Sequence, residues 1–117
     1  TGAAGFVGGH VIAELLDDFS SHMYTEIVAV DLNNPLQTSP SASHVKVLWM
    51  QADICDEEAM NSVCQGATTV FHLAALVRTQ CGGIHTRHLE RVNILGTETL
   101  LRAAKKAGVS RFVFLSS

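Results

Sequence analysis

A glycine loop that leads directly into an amphipathic helix constrains this chain more than any other feature. Gly2, Gly5 and Gly8 stand three residues apart in TGAAGFVG, and apolar residues then recur at the spacing of a helix with one apolar face. Backbone N–H groups at such a helix start point outward, and the helix dipole favours an anion there. In a dinucleotide loop the first glycine permits the tight turn, the second admits a pyrophosphate, and the third lets the helix pack closely. The alternative is an ordinary glycine turn that ends a strand.

Helical and strand-like segments alternate along the rest of the 117 residues. This alternation predicts an α/β fold with a doubly wound parallel sheet, organised as one domain over residues 1–117. A loop containing both prolines is predicted at residues 33–44. Acidic residues predict one helix start, and Gly66 and Gly108 predict two helix ends. The predicted segments are a helix at 6–19, strands at 26–31 and 45–50, a helix from 56 to 66, a strand at 68–75, a helix at 86–107 and a strand at 111–117.

The composition excludes several classes of function. The formal net charge is −3, so nothing in the charge favours nucleic-acid binding. The apolar runs are far shorter than the roughly 20 residues of a membrane-spanning helix. Three cysteines, none at C-x-x-C spacing, predict reduced thiols in a reducing compartment. The histidines have no cysteine or carboxylate partner at ligand spacing, so no metal site is predicted.

An acidic residue at the end of the first predicted strand points to the cofactor. Asp31 lies about 20 residues beyond the loop, where a carboxylate accepts hydrogen bonds from an adenosine ribose. That carboxylate would repel a 2′-phosphate by about 1–4 kcal/mol per unit charge at about 4 Å. Leu32, Asn33 and Asn34 follow, with no arginine to neutralise a phosphate. NAD is therefore expected rather than NADP; the alternative for Asp31 is a turn or cap residue.

Five motifs in order resemble those of extended short-chain dehydrogenases/reductases. The opening loop resembles that family's T-G-x-x-G-F-x-G, and the resemblance continues through QADICD, VFHLAALV, VNILGTETLL and RFVFLSS. Within this family the chain is most similar to the 3β-hydroxysteroid dehydrogenase/isomerase group. The resemblance implies a Rossmann-type fold along the whole chain.

The resemblance also implies a role for particular residues. Cofactor-binding residues would be Gly2, Gly5, Phe6, Val7, Gly8, Asp31, Asp53, Ile54, Leu73, Ala74, Ala75 and Asn93. Among them, Asp53 would contact the adenine, the alanines would let the nicotinamide ribose lie close, and Asn93 would help hold the active site. Ser117 would be the catalytic serine. Taken singly, these residues also fit plainer roles: a helix-start acid, core alanines, a solvent-facing asparagine and a strand end. Gly96 costs about 1 kcal/mol in a helix relative to alanine, which predicts a packing reason for it.

The family's catalytic Tyr-x-x-x-Lys pair is absent from this sequence. Tyr24 is followed four residues later by Val28. The chain also begins inside the glycine loop and ends at Ser117, so it resembles a fragment that lacks the first strand and the C-terminal part of a longer enzyme. We expect this segment alone to be unstable and inactive, and a cooperative thermal melt of the isolated segment would contradict that expectation.

The resemblance implies an NAD-dependent oxidoreductase that oxidises the 3β-hydroxyl of a steroid or sterol-like alcohol, with isomerase activity open for the full-length protein. The alternatives are a nucleotide-sugar epimerase or dehydratase, another extended dehydrogenase, or a non-catalytic NAD(P)-sensing module. The expected partner is this small-molecule substrate, and a homodimer of the full-length protein is compatible with the resemblance. The expected location is intracellular, in the cytoplasm or at the cytoplasmic face of the endoplasmic reticulum, with membrane association left open.

Overall fold

The computed structural model describes residues 1–17, 24–33, 44–77 and 86–116. Helices and strands alternate along it, which confirms the predicted α/β class and the predicted order of elements. The elements are α1 (Phe6–Leu16), β1 (Glu26–Asp31), β2 (Lys46–Gln51), α2 (Glu57–Cys64), β3 (Thr69–His72), α3 (Thr86–Glu90), a π-helical segment (Arg91–Gly96), α4 (Thr97–Lys106) and β4 (Arg111–Phe114).

The four strands form two parallel pairs. Strand β1 pairs with β2, and β3 pairs with β4. The glycine loop joins the pairs, because the Ala3 N–H donates to the Val30 oxygen (3.1 Å) and the Leu73 N–H donates to the Thr1 oxygen (3.0 Å). A groove of about 920 Å³ lies between the pairs and is lined by apolar residues of α1, β1 and β3. The carboxyl ends of β1 and β3 are thereby held at the glycine loop.

Local chemistry explains the helix boundaries. The Asp56 side chain accepts a hydrogen bond from the Ala59 N–H (3.1 Å), which caps the first turn of α2. Gly66 follows this helix with φ +72°, as predicted for a helix end. Gly108 (φ +75°) ends α4, where Val109 N–H donates to the Ala104 oxygen in a Schellman motif.

Three predicted elements differ from the structure in type or extent. The predicted helix at 86–107 is one unbroken helical run, but its centre, Arg91–Gly96, is π-helical. The predicted strand at 68–75 ends at His72, because the residues after it turn toward the glycine loop and the π-helical segment. The last strand ends at Phe114, short of the predicted 117. Parts of the predicted 6–19 helix and 33–44 loop lie outside the described residues.

The buried core joins α2 and α4 to the strand ends. Met60 and Cys64 of α2 pack in one cluster with Leu100 of α4. The same cluster includes Val30, near the end of β1, and Ile54, just beyond the end of β2. The segments that follow β1 and β2 are therefore anchored to the packed core. In the described ranges, no helix has the length and apolar character needed to cross a bilayer.

Candidate functional site

The glycine loop approaches its neighbours so closely that two of its glycines cannot carry a side chain. Gly2 has φ +75°, and a Cβ there would lie 2.6 Å from the Ala74 nitrogen. A Cβ at Gly8 would lie 2.8 Å from the Ala3 Cα and closer still to the Gly2 oxygen. At Gly5 the nearest atom is the Gly2 oxygen at 3.3 Å, and this residue is exposed. Packing therefore explains Gly2 and Gly8, whereas the outer face of Gly5 stays open to a ligand.

The carboxylate of Asp31 is hydrogen-bonded to this loop. Its Oδ2 accepts from the Ala4 N–H (3.0 Å), and its Oδ1 accepts from the Asn33 N–H (3.0 Å). The second bond forms an Asx turn. Asp31 is therefore both a turn residue and a neighbour of the glycine loop, and the two interpretations are compatible. The structure thus brings the predicted phosphate turn and the predicted ribose acid into one site at the carboxyl end of β1, where open α/β sheets bind ligands.

The segment after β2 carries the predicted adenine contacts. Asp53 Oδ1 accepts from the Cys55 N–H (2.9 Å), and Oδ2 accepts from the Arg91 guanidinium (3.2 Å). The helix cap is Asp56 instead, so Asp53 is not the acid that starts α2. Burial is the first cause that raises the pKa of the Cys55 thiol, followed by its hydrogen bond with Asp53. The Asp53 carboxylate is held at both oxygens.

Gly96 lies directly against Ile54. A Cβ at Gly96 would lie 2.6 Å from both Cδ1 and Cγ1 of Ile54, and 3.4 Å from the Cys55 sulfur. Because Ile54 is itself buried in the core, it has little room to move away. The packing reason predicted for this glycine is confirmed: only glycine lets the helix backbone lie on the residue expected beside the adenine.

The segment after β3 is attached to the π-helical segment through Asn93. Its Oδ1 accepts from the Leu76 N–H (2.8 Å), and its Nδ2 donates to the Leu76 oxygen (2.9 Å). Asn93 is half-buried, and its side chain holds the segment that leaves β3 at Leu76. It is therefore not the solvent-facing residue of the plainer interpretation. Leu73, Ala74 and Ala75 lie between this attachment and the glycine loop, and the Ala74 nitrogen stands against Gly2.

Two of the predicted residues lie exposed on the first turn of α1. Phe6 is 84% exposed and contacts His10 edge-on at 4.6 Å between ring centroids. Val7 is also exposed on the first turn of α1, so contacts of Phe6 and Val7 with a cofactor stay predictions. Ser117 lies outside the described residues. No group of three or more metal-ligating side chains occurs in the part of the chain that the structure describes.

Sequence reasoning missed two residues of this region. Arg91 pairs with Asp53 across 38 positions, and its only signal was a cation close to Asn93. His72 is fully buried and hydrogen-bonded to two threonines, Thr1 and Thr97. A histidine inside an apolar strand was the available signal, because a buried imidazole needs partners.

Two curated relatives match the chain along its whole length. A 3 beta-hydroxysteroid dehydrogenase/Delta 5-->4-isomerase of Mycobacterium tuberculosis is 34% identical over 123 residues, covering 100% of this chain and 30% of the relative. The mouse dTDP-D-glucose 4,6-dehydratase is 29% identical over 120 residues, covering 100% of this chain and 34% of the relative. The chain thus spans about a third of the length of these relatives.

Solved structures show the same fold. Uronate dehydrogenase from Agrobacterium tumefaciens, as a variant complexed with NAD, matches with a TM-score of 0.78 and 27% identity over 99% of this chain and 38% of that one. MoeE5 in complex with UDP-glucuronic acid and NAD matches with a TM-score of 0.76 and 31% identity over 99% of this chain and 35% of that one. A model of the 3-beta hydroxysteroid dehydrogenase/isomerase family matches residues 1–117, so the chain belongs to that family.

Proposed function

We propose that this chain binds NAD at the carboxyl ends of β1, β2 and β3. The observation that carries the proposal is the hydrogen bond from the Ala4 N–H to the Asp31 carboxylate, which joins the loop to the acid. The diphosphate would lie at the start of α1, where outward amides and the helix dipole favour an anion. The adenosine ribose would lie at Asp31, and the adenine would contact Asp53, with Ile54 beside the ring. Bound NAD supplies a hydride acceptor.

The charge at Asp31 supports NAD over NADP. A 2′-phosphate on the ribose would stand beside this carboxylate, at a cost of about 1–4 kcal/mol per unit charge at about 4 Å. Leu32 and Asn33 follow the acid and offer no positive charge. The two solved neighbours with NAD in their complexes support the same cofactor.

For the full-length gene product, the proposed reaction is oxidation of a 3β-hydroxyl on a steroid or sterol-like alcohol. The family match over the whole chain and the mycobacterial relative support this substrate class. In this proposal Ser117 hydrogen-bonds the reacting oxygen and stabilises charge as it develops there. Asn93 contributes by fixing the strand exit at Leu76, beside the nicotinamide end of the site.

A nucleotide-sugar reaction is the second candidate. The mouse dTDP-D-glucose 4,6-dehydratase covers the whole chain, and the matching MoeE5 structure is a complex with UDP-glucuronic acid and NAD. The residues described here lie at the cofactor end of the fold, which both substrate classes would share. The choice between them therefore needs a measurement on the substrate.

Turnover by the full-length gene product tests the proposal. With NAD and a 3β-hydroxysteroid, NADH formation followed by absorbance is expected. UDP-glucose and dTDP-glucose in place of the steroid are the controls, and their conversion is followed by chromatography of the sugar product, because epimerisation and dehydration leave no net NADH. Turnover of a nucleotide sugar without turnover of the steroid would replace the first candidate with the second. Binding of NAD without turnover of either substrate class would favour a sensing module, and absence of NAD binding would contradict the cofactor site itself.

We also propose that the protein works in a reducing intracellular compartment, in the cytoplasm or at the cytoplasmic face of the endoplasmic reticulum. Cys55 and Cys64 are free thiols, which supports this location. Fractionation of cells expressing the full-length gene product tests it, and recovery from a secreted fraction would contradict it.

A further inference from the structure

A hydrogen-bonded chain centred on a buried histidine connects the glycine loop to the segment that carries Asn93. His72, at the end of β3, is 0% exposed. Its Nδ1 lies 2.8 Å from the Thr1 hydroxyl at the glycine loop, and its Nε2 lies 2.8 Å from the Thr97 hydroxyl at the start of α4. The Thr97 hydroxyl also lies 2.7 Å from the backbone oxygen of Asn93. One imidazole therefore links the loop to the helical segment that carries Asn93.

Counting protons determines the direction of every bond in this chain. A backbone oxygen only accepts, so the single hydroxyl proton of Thr97 is donated to Asn93. The Thr97 oxygen must then accept from His72, which requires a proton on Nε2. A neutral imidazole carries one N–H, so Nδ1 is an acceptor and Thr1 donates to it. The opposite tautomer would leave two oxygens 2.7 Å apart with no proton between them.

The surroundings of the ring keep it in the neutral form that this count requires. Burial, and after it the positive charge of the Thr1 amino group, lowers the pKa of His72 to about 4, because a cation there would lose its hydration and be repelled. The rings of Phe112 and Phe114 flank it at 6.1 and 5.3 Å between centroids. His72 therefore acts through directed hydrogen bonds and not as a charge.

We propose that His72 is a positioning residue that holds the glycine loop and the Asn93 segment at a fixed separation, through an Nε2–H tautomer. This inference rests on the proposed NAD site, since it assigns the two ends of the imidazole to the two ends of that site. The Nδ1 side orients Thr1 at the loop that would hold the diphosphate. The Nε2 side orients Thr97, and through it Asn93 and the strand exit at Leu76.

Two substitutions separate the two sides of the ring. His72→Gln places a donor where Nε2 stands and removes the acceptor for Thr1, so it should weaken NAD binding with kcat close to that of the wild type. His72→Asn places an acceptor where Nδ1 stands and removes the donor to Thr97, so it should lower kcat with the Kd for NAD nearly unchanged. Each affected parameter should change between about twofold and tenfold, as expected for one hydrogen bond. His44→Gln, at an exposed histidine outside the site, is the matched control.

A second pair of variants covers the case in which substitutions at His72 prevent folding. Thr97→Ser keeps the hydroxyl and should retain wild-type kcat, whereas Thr97→Val removes it and should lower kcat to the same extent as His72→Asn. The double variant His72→Asn with Thr97→Val should be no worse than either single variant, because both break one link.

The tautomer itself is measured without any cofactor. In the full-length gene product labelled with ¹⁵N-histidine, a ring ¹⁵N–¹H correlation spectrum at neutral pH should show His72 as neutral with its proton on Nε2. A proton on Nδ1, or a charged ring, would overturn the inference. Equal changes of Kd and kcat in both His72 variants, or wild-type behaviour of Thr97→Val, would also overturn it. If the wild type fails to bind NAD, the proposed function fails, and the spectrum still decides the network.

Discussion

Replacing Gly8 with alanine tests the close approach of α1 to the glycine loop. The new Cβ would lie 2.8 Å from both Cα and the oxygen of Ala3, and closer to the Gly2 oxygen. These are backbone atoms, which cannot rotate away, so the Gly2 oxygen must move by about an ångström or more to reach ordinary contact. Overpacking of this kind costs about 1–3 kcal/mol. The loop amides would move with it, away from the proposed diphosphate position.

The neighbouring glycine supplies a matched control. A Cβ at Gly9 would have no atom within 4 Å, so Gly9→Ala should stabilise the helix by up to about 1 kcal/mol. Both variants gain helix propensity, so the difference between their unfolding free energies isolates the clash, at about 1–3 kcal/mol.

The assay is urea unfolding of the full-length gene product together with calorimetric titration of NAD. Gly8→Ala should lower the unfolding free energy relative to Gly9→Ala and weaken NAD binding by at least about tenfold, which corresponds to about 1.4 kcal/mol. Gly9→Ala should bind NAD like the wild type. If the two variants have the same unfolding free energy and the same NAD affinity, the close approach described here is wrong.

Three further predictions follow from named contacts. Asp31→Ala should weaken NAD binding and narrow the difference in affinity between NAD and NADP, as measured by calorimetric titration. An unchanged ratio of the two affinities would show that Asp31 does not contact the ribose. Gly96→Ala should push Ile54 away, which lowers the unfolding free energy by about 1–3 kcal/mol, less a gain in helix propensity of up to about 1 kcal/mol. NAD binding should weaken with it. Tighter NAD binding together with a raised unfolding free energy would contradict this prediction. Because burial and the positive charge of the Thr1 amino group lower the pKa of His72 from 6.5 to about 4, the unfolded state binds more protons between these values. The stability that the neutral ring contributes is therefore present above about pH 6.5 and lost as the pH falls toward 4. Urea unfolding of the wild type should show a steeper decline over this range than His72→Gln, and equal slopes would refute the assignment.

Most of the fold could be predicted from short-range patterns in the sequence. The helix end at Gly108 was predictable because a left-handed residue after lysines in the last turn is a local signal. The acidic start of α2 was predictable for the same reason, since Asp56 caps amides only three residues away. Strand β1 was predictable from its apolar, β-branched composition, and its bounds match the structure.

Contacts between distant segments were less accessible. The proximity of the glycine loop and Asp31 was predictable, because a dinucleotide-binding loop and its ribose-binding acid stand about 20 residues apart. The bond between Arg91 and Asp53 has no such spacing, and the direction of an exposed arginine cannot be read from its neighbours. The π-helical segment was also missed, because apolar periodicity does not separate it from the flanking α-helix. The early end of β3 depends on contacts made by Gly2 and Asn93, which lie far away in sequence.

A crystal structure of the full-length gene product with NAD would show directly where the cofactor binds. We expect the diphosphate at the start of α1, against the open face of Gly5, with the adenosine ribose hydroxyls bonded to Asp31. We also expect the adenine at Asp53 and Ile54. NAD bound elsewhere, or side chains filling the space outside Gly5, would refute the proposed cofactor site.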